Sequence, residues 1–334
     1  MLRPNSIATP ITRPNQFIVL PSGAGIPLTL ALQTRLRELS HNDIPPIEGC
    51  QNIRPRACEK TGFRRLTQSS ILTALLAPCR VPLRSLLGAH VLSKRKSEHL
   101  KICLEKDVSS AVTTGLERYR LIHEALPEIS LAEVDLSVEF LGRRLQAPIL
   151  ISAMTGGAAE AREINCRLAR AAQEFGLAMA LGSQRAALEN PALTSTYHVR
   201  DVAPDILLLA NIGAVQLNEG YDVEMCRRAV ESVGADALVL HLNPLQEALQ
   251  PEGDTNFRGL AAKIEKLCQE LSVPILVKEV GYGLSLKTAQ RLRQAGVWGL
   301  DIAGAGGTSW SKVEAYRART AEEAQVAAAF TDWG

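Results

Sequence analysis

Aromatic residues make up only 4% of the 334 residues, and no apolar run approaches the ~18 residues that a membrane-spanning helix needs. The longest candidate, Ile71–Pro78, is short and soon followed by arginine. The low aromatic content, combined with 46% hydrophobic residues in which alanine and leucine dominate, favours an α/β protein over a β-sandwich. The composition therefore predicts a globular protein that is not a membrane protein.

Cysteines are few, and no two of the seven have the CxxC spacing that is typical of metal and redox sites. An odd, dispersed set of thiols indicates a reducing compartment. We therefore expect unpaired cysteines and a cytoplasmic location. The seven are Cys50, Cys58, Cys79, Cys103, Cys166, Cys226 and Cys268.

Acidic residues are scarce only in the first part of the chain. Residues 1–92 contain eleven basic and four acidic side chains and many prolines, whereas residues 93–334 contain 26 basic and 31 acidic side chains. The first part is predicted to be a largely disordered Arg/Pro-rich extension, with short helices near Leu28–Leu39 and Leu66–Leu76. The main part has no basic stripe with interleaved aromatics, so nucleic acid is not an expected partner.

The main part alternates apolar stretches of strand length with amphipathic stretches of helix length. Strands that are apolar on both faces are typical of a parallel sheet covered by helices. Polar or glycine-rich residues follow every strand, which favours an incomplete TIM (β/α)8-type barrel of about six strand-helix units over a doubly wound sheet. The predicted strands are Pro148–Ser152, Ala178–Ser183, Ile206–Gly213, Ala237–Leu242, Pro274–Glu279 and Gly299–Gly304, and the predicted helices include Glu160–Phe175, Asp222–Val233, Gly259–Leu271 and Ser285–Ala295.

Glycine-rich turns follow two of these strands, one after Thr155 and one from Gly304 to Thr308. Such turns let an anionic or flat ligand approach the backbone amides, although glycine at a strand-helix turn is often required by geometry alone. Lys278 ends an apolar strand at the predicted barrel mouth, where an unpaired ammonium is costly. It indicates either a ligand such as a reduced flavin ring or a salt bridge, for example to Glu279.

The segment His241–Glu247 contains an imidazole, two amides and a carboxylate within seven residues. Such a set can bind a diphosphate, hold Mg²⁺ and place a proton donor, or else Gln246 and Glu247 form a solvated helix start. The basic run Lys94–Lys96, with His99 close behind, lies ahead of the barrel. It either clamps phosphate over the mouth or is a solvated charge run.

Together, these segments resemble type 2 isopentenyl-diphosphate isomerase, the FMN-dependent form, from about Ser93 to the C terminus. Their joint occurrence in this order makes the resemblance specific, and residues 1–92 lie outside it. The matching segments are Arg95-Lys-x-x-His99, Met154-Thr-Gly-Gly157, Gly182-Ser-Gln-Arg185, Asn211-Ile-Gly213, His241-Leu-Asn-x-x-Gln-Glu247, Val277-Lys-Glu-x-Gly281 and Gly304-x-Gly-Gly-Thr-Ser-Trp310.

The resemblance implies that isopentenyl diphosphate is converted to dimethylallyl diphosphate with reduced FMN, Mg²⁺ and NADPH as reductant of the flavin. It also implies a homo-oligomer. Gln246 would be the catalytic residue near the isoprenoid double bond, and Glu247 would bind Mg²⁺. FMN would be bound by Thr155, Gly156, Ser183, Asn211, Lys278 and Thr308, and the substrate by Arg95, Lys96, His99, Arg185, His241, Asn243 and Gln246.

The sequence departs from this family near Asp332–Gly334, where a seventh strand is expected. The resemblance assigns the FMN phosphate to loops after strands seven and eight. We therefore expect a truncated barrel with two open sheet edges that binds FMN weakly or not at all. An inactive fragment is one alternative interpretation. An FMN-dependent α-hydroxy-acid oxidase is another, although that class needs a histidine near the seventh strand.

Overall fold

The computed structural model describes residues 95–334 and the backbone of the two-residue strand Ile18–Val19. The helices predicted near Leu28–Leu39 and Leu66–Leu76 lie outside the described residues, so the prediction of a disordered extension stays untested. Among the residues that are described, no helix is long and apolar enough to cross a membrane. The described strands are β1 (Ile18–Val19), β2 (Val138–Phe140), β3 (Arg143–Leu145), β4 (Leu150–Ile151), β5 (Ala178–Ala180), β6 (Leu207–Gly213), β7 (Ala237–His241), β8 (Ile275–Lys278) and β9 (Gly299–Asp301).

Strands β4 to β9 form one parallel sheet in which each strand pairs with the next one along the chain. A doubly wound sheet reverses its strand order at a switch point, and no reversal occurs between β4 and β9. Each strand lies within a predicted one, and at least one helix follows each strand. This arrangement confirms the prediction of an incomplete (β/α)8-type barrel.

The helices lie in the order that the sequence predicts. The four helices named above are confirmed, and the others are short or lie at the ends of the described region. The helices are α1 (residues 95–105), α2 (Ala159–Phe175), α3 (Arg185–Glu189), α4 (Val223–Glu231), α5 (Pro244–Leu249), α6 (Leu260–Glu270), α7 (Leu286–Gln294), α8 (Trp310–Arg317) and α9 (Ala321–Ala328).

Side chains along each strand alternate between two buried faces of the sheet. One face, which includes Leu208 and Leu240, packs against the helices in the larger apolar core. The other face lines the barrel interior with residues such as Leu209 and Val239. Because both faces are buried, the strands are continuously apolar, which is why their pattern in the sequence is strong.

The hairpin β2–β3 closes the amino end of the barrel interior, and the sequence analysis did not predict it. Phe140 and Leu145 are buried in the interior apolar cluster, and the Phe140 ring meets the Trp298 ring edge-on at 5.3 Å. Arg143 anchors the hairpin to the segments just before β6 and β7, because it donates to the Asp205 carbonyl and pairs with Asp236 at 2.7 Å.

The sheet is open at its first barrel strand, since β4 pairs with β5 and with no other described strand. At the opposite end, β9 pairs with β8 on one side and with β1 on the other, both in parallel. No strand was predicted within residues 1–92. The pairing of Ile18 with Leu300 is therefore a difference from the sequence analysis, and it arises because an unpaired strand edge accepts backbone hydrogen bonds from any extended segment.

Candidate active site at the carboxyl ends of the strands

Four polar side chains lie side by side where the strands end. The register pairs His241 with Lys278 and Lys278 with Asp301, and His241 Nδ1 lies 2.8 Å from Asn211 Oδ1. Paired residues on neighbouring parallel strands share a face, so these groups face the barrel interior above its apolar layer. The structure thus brings together Asn211, His241 and Lys278, which were predicted to bind the cofactor and the substrate.

The His241 ring is buried and is oriented by its hydrogen bond with Asn211. Burial lowers the pKa of His241 well below its ordinary value, and nearby cations, first Lys278, act in the same direction. A carbonyl oxygen only accepts hydrogen bonds, so the contact with Asn211 Oδ1 requires the proton on His241 Nδ1. In the uncharged ring, which the lowered pKa favours, His241 Nε2 keeps a lone pair that can accept a hydrogen bond.

Lys278 is a buried cation without a side-chain ion pair among the described residues. Its Nζ donates to the backbone oxygen of Glu279 at 2.6 Å. The Glu279 carboxylate instead accepts the N–H groups of residues 280–282, so the salt bridge considered from the sequence is not formed. Burial lowers the pKa of Lys278, and the negative charges of Asp301 and Glu279 partly oppose that shift.

Asp301 was missed by the sequence analysis. It is buried at the end of β9, and it accepts hydrogen bonds from Ser152 Oγ at 3.1 Å and from the Ala303 N–H at 3.0 Å. Burial raises the pKa of Asp301, while the Lys278 charge opposes the rise. A carboxylate inside an apolar stretch of strand length was the signal that could have revealed it.

Helix α5 orients the predicted catalytic and metal-binding residues. Asn243 precedes the helix, and Pro244 occupies its first position, where a proline is well tolerated. The Asn243 Nδ2 group donates to Gln246 Oε1 at 3.2 Å and to Glu247 Oε1 at 2.8 Å. Gln246 Nε2 lies 3.5 Å from Glu314 Oε1. The Gln246 amide is therefore oriented from both ends.

Glu247 and Asn243 carry oxygen atoms of the type that binds magnesium. Glu247 Oε2 accepts the Asp254 N–H at 2.7 Å and a hydrogen bond from Gln250. Asn243 Oδ1 is buried and has no hydrogen-bond partner within the described part of the chain. Carboxylate and amide oxygens are the hard ligands that Mg²⁺ prefers, and Mg²⁺ usually takes its remaining ligands from phosphates and water. The described residues contain no group of three or more His, Cys, Asp or Glu that could hold a metal by itself.

Helix α1 places the predicted basic residues against this network. Arg95 Nη1 lies 3.4 Å from Gln250 Oε1, and His99 Nε2 lies 3.1 Å from Glu314 Oε1. Burial and then the neighbouring Arg95 charge lower the pKa of Lys96 to about 8. These side chains are buried or half-buried, so they do not form a freely solvated charge run.

Glu314 of α8 connects the basic residues of α1 with Gln246 of α5, and it was not among the predicted site residues. It is 1% exposed and contacts His99, Gln246 and Arg317, the last at 2.6 Å. Burial alone would raise the pKa of Glu314, but the His99 hydrogen bond and the Arg317 charge outweigh it and lower the pKa. Helix α8 begins directly after the glycine-rich turn, and its position next to a predicted binding turn could have indicated that Glu314 belongs to the site.

Arg185, a predicted substrate-binding residue, forms ion pairs with two carboxylates. Its Nε lies 2.9 Å from Glu189 Oε1, and its Nη1 pairs with Asp254. Burial alone would lower the pKa of Arg185, but these two carboxylates outweigh it and raise the pKa. The acidic partner Asp254 lies in the Pro-Glu-Gly-Asp turn after α5, which the sequence analysis did not consider.

The turns after β4 and β5 are joined by Tyr197. A side chain at Gly156 would overlap the buried Tyr197 ring, and the Tyr197 hydroxyl donates to the Ser183 carbonyl at 2.6 Å. Thr155 is buried beside them, and its carbonyl accepts from Asn165. Packing therefore explains the glycine at position 156, while the predicted flavin contacts of Thr155, Gly156 and Ser183 stay predictions.

The glycine-rich turn after β9 is more open. A Cβ at Gly304 or Gly307 would meet nothing within 4 Å, whereas one at Gly306 would overlap the Thr114 side chain. Thr308 forms a β-bridge with Ser109, which fixes the far end of the turn. Open glycine backbone next to the buried cation Lys278 fits a flat, anionic cofactor such as FMN.

Comparisons with known proteins find a family and several relatives of this chain. The family model for FMN-dependent dehydrogenase matches residues 90–243. Isopentenyl-diphosphate delta-isomerase of Synechococcus sp. is 59% identical over 244 residues, which are 73% of this chain and 70% of that protein. The enzymes of the same name from Nostoc sp. and Rickettsia bellii are 55% and 54% identical, over 72% of this chain and 69% and 70% of theirs. Among solved structures, a chimera of (S)-mandelate dehydrogenase aligns with a TM-score of 0.43 at 18% identity, over 70% of this chain and 75% of that one.

The sequential βα units with polar residues at the carboxyl ends of the strands define an enzyme of the FMN-dependent β/α-barrel class. The chain belongs to the type 2 isopentenyl-diphosphate delta-isomerase family. The relatives are isomerases, which weighs against the α-hydroxy-acid oxidase considered from the sequence.

Proposed function

We propose that this chain isomerises isopentenyl diphosphate to dimethylallyl diphosphate with reduced FMN and Mg²⁺. Family membership supports the reaction, and the site geometry supports the assignment of its residues. The observation that carries the proposal is the buried network in which Asn243 orients both Gln246 and Glu247 beside the cations of α1. We further propose NADPH as the reductant of the flavin, a cytoplasmic location and a homo-oligomer.

The reaction exchanges one proton for another and leaves the oxidation state of the substrate unchanged. A proton is added to the terminal methylene carbon, and another is lost from the carbon next to the one bearing the diphosphate. The double bond thereby shifts by one carbon towards the diphosphate. When bound, reduced FMN supplies acid-base capacity beside the double bond. Carbon acids are very weak, so the reacting atoms need a positioned, water-free site.

Different residues of the chain are assigned to the diphosphate, to Mg²⁺ and to the double bond. In the proposal, Arg95, Lys96, His99 and Arg185 bind the diphosphate, and Glu247 would hold Mg²⁺, which would supply positive charge to the same diphosphate. Gln246, oriented by Asn243 and Glu314, lies against the isoprenoid double bond. His241 and Asn243 line the same pocket.

The flavin side is assigned to the residues around the open glycine backbone. Lys278 would offset the negative charge of the reduced ring, and Asn211, at the end of β6, would also contact the flavin. Thr155, Gly156, Ser183 and Thr308 lie in the turns that would surround it. Support for this assignment comes from the buried cation and from the space beside Gly304 and Gly307.

Conversion of isopentenyl diphosphate by the full chain, without oxygen and with FMN, NADPH and Mg²⁺, tests the proposal. In D₂O the new methyl group takes up deuterium, and no stoichiometric NADPH consumption accompanies turnover. We expect Gln246→Ala to lower kcat at least ~100-fold, because a misplaced reacting group costs about that much. Gln290→Ala, an exposed change on α7, serves as the matched control. Equal rates for the two variants would contradict the role of Gln246, and no deuterated product with the unaltered chain would contradict the function.

A further inference from the structure

Asp254 contacts two parts of the proposed site at once. Its carboxylate pairs with Arg185 and lies 3.4 Å from Gln216 Nε2. Its backbone N–H donates to Glu247 Oε2 at 2.7 Å. A single residue of the turn after α5 therefore connects the arginine assigned to the diphosphate with the carboxylate assigned to Mg²⁺.

The charge around Arg185 is unfavourable for a free anion. Two carboxylates, Glu189 and Asp254, already compensate one guanidinium, and Glu247 lies on the other side of the same turn. A phosphate group that approaches Arg185 therefore meets negative charge as well as positive charge. The repulsion from Asp254 grows with the net negative charge of the ligand.

Free diphosphate and its magnesium complex differ in net negative charge. Bound Mg²⁺ cancels two negative charges of the diphosphate, so the complex is repelled much less by Asp254 than the free anion is. The turn is also partly buried, with 20% of the Asp254 side chain exposed, so water and salt screen the repulsion incompletely.

We propose that Asp254 is a specificity-determining residue that makes the site select the magnesium complex of a diphosphate over the free diphosphate. The inference rests on the proposed function and adds a residue outside the predicted set. It also gives a reason for an acidic residue beside an arginine that is meant to bind phosphate.

Calorimetric titration of the FMN-supplemented full chain with inorganic pyrophosphate tests the inference, once with excess Mg²⁺ and once with EDTA. We expect Asp254→Asn to raise the affinity for free pyrophosphate about tenfold and to change that for the magnesium complex less than about threefold. The preference for the complex, which is the ratio of the two affinities, therefore falls. Asp254→Asn keeps the backbone N–H that binds Glu247, so Glu247 stays oriented.

Two further variants control for charge and for carboxylate position. Asp201→Asn removes the same charge from an exposed pair with Arg162, and it should leave the ratio unchanged. Asp254→Glu restores a carboxylate and should restore most of the preference. If Asp254→Asn does not fold, as judged by its thermal transition, Glu189→Gln removes the other carboxylate from Arg185 and should lower the ratio in the same direction.

The outcomes separate this inference from the proposed function. Binding by the unaltered chain, with a ratio that neither Asp254→Asn nor Glu189→Gln alters, overturns the role of Asp254 and leaves the proposed function standing. If the unaltered chain binds neither form of pyrophosphate, the diphosphate site itself is wrong, and the inference fails with it.

Discussion

At the amino ends of the strands the barrel interior is closed by Phe140 and Leu145, which pack on alanine, leucine and valine side chains. At the carboxyl ends of the same strands it holds Lys278, Asp301 and His241. The alternation of side chains is identical at the two ends, so only the residue types differ. One end can add stability by excluding water, whereas the other keeps polar groups buried at a cost in stability.

The pKa values record that cost. Burial lowers the pKa of Lys278 and raises that of Asp301, so each group is shifted towards its neutral form. Burying a charged group costs stability unless a close partner of opposite charge compensates it. The difference between the two ends suggests that stability and chemistry can be altered separately, and the following predictions test this separation.

The largest expected effect is at the amino end. Phe140→Ala should lower the free energy of unfolding by about 3–5 kcal/mol, because it removes a buried ring and leaves a cavity. Urea denaturation measures the change. Tyr119→Ala, at a ring that is 79% exposed, should change it by less than about 0.5 kcal/mol. Pyrophosphate affinity of the folded Phe140→Ala protein should stay the same, and a loss of affinity would show that the two ends are coupled.

A smaller effect is expected from two glycines at the carboxyl end. Gly156→Ala should cost about 1–3 kcal/mol of unfolding free energy, because the new methyl overlaps the Tyr197 ring. Gly304→Ala meets open space and should leave stability nearly unchanged, yet it should weaken FMN binding if the flavin approaches there. Thermal unfolding and flavin fluorescence quenching measure the two properties. Unchanged flavin affinity in Gly304→Ala would remove that turn from the proposed FMN site.

The smallest effect concerns pH. The pKa of Lys96 is lowered to about 8, mainly by burial. The side chain is therefore mostly charged below that pH and loses its positive charge above it. The charged fraction falls from about one half at pH 8 to about one eleventh at pH 9, so the affinity for magnesium pyrophosphate should fall by up to about fivefold over that interval. Lys96→Met should bind more weakly at low pH and lack this additional fall. The comparison of the two proteins subtracts the titration of the ligand itself, and parallel profiles would contradict a charge role for Lys96.

The barrel strands were predictable because strands buried on both faces are continuously apolar. The hairpin β2–β3 was not, since its strands are three residues long, carry charged residues and turn through Leu141, a non-glycine residue with φ of 50°. The strand β1 lies in the short apolar run from Phe17 to Leu20, but nothing in that run indicates its partner β9, which lies far away in sequence.

The candidate site divides in the same way. The segment from His241 to Glu247 could be recognised because its polar residues follow one strand closely. The partners of these residues could not, since Glu314, Asp254 and Asp301 come from three other segments and their roles depend on distance. Arg185 illustrates the limit, because its sequence position indicates phosphate binding, whereas its two carboxylate neighbours decide how much charge it can offer.

The sequence by itself determined the alternation of strands and helices, the polar character of the strand ends and the family of the chain. These follow from local periodicity and from residue types at fixed spacing. The tertiary structure alone decided which side chains share one buried network, which histidine nitrogen carries the proton and which carboxylates compensate which cations. Burial and electrostatic interaction depend on separation in space, and segments that are far apart in the sequence become neighbours only when the sheet is formed.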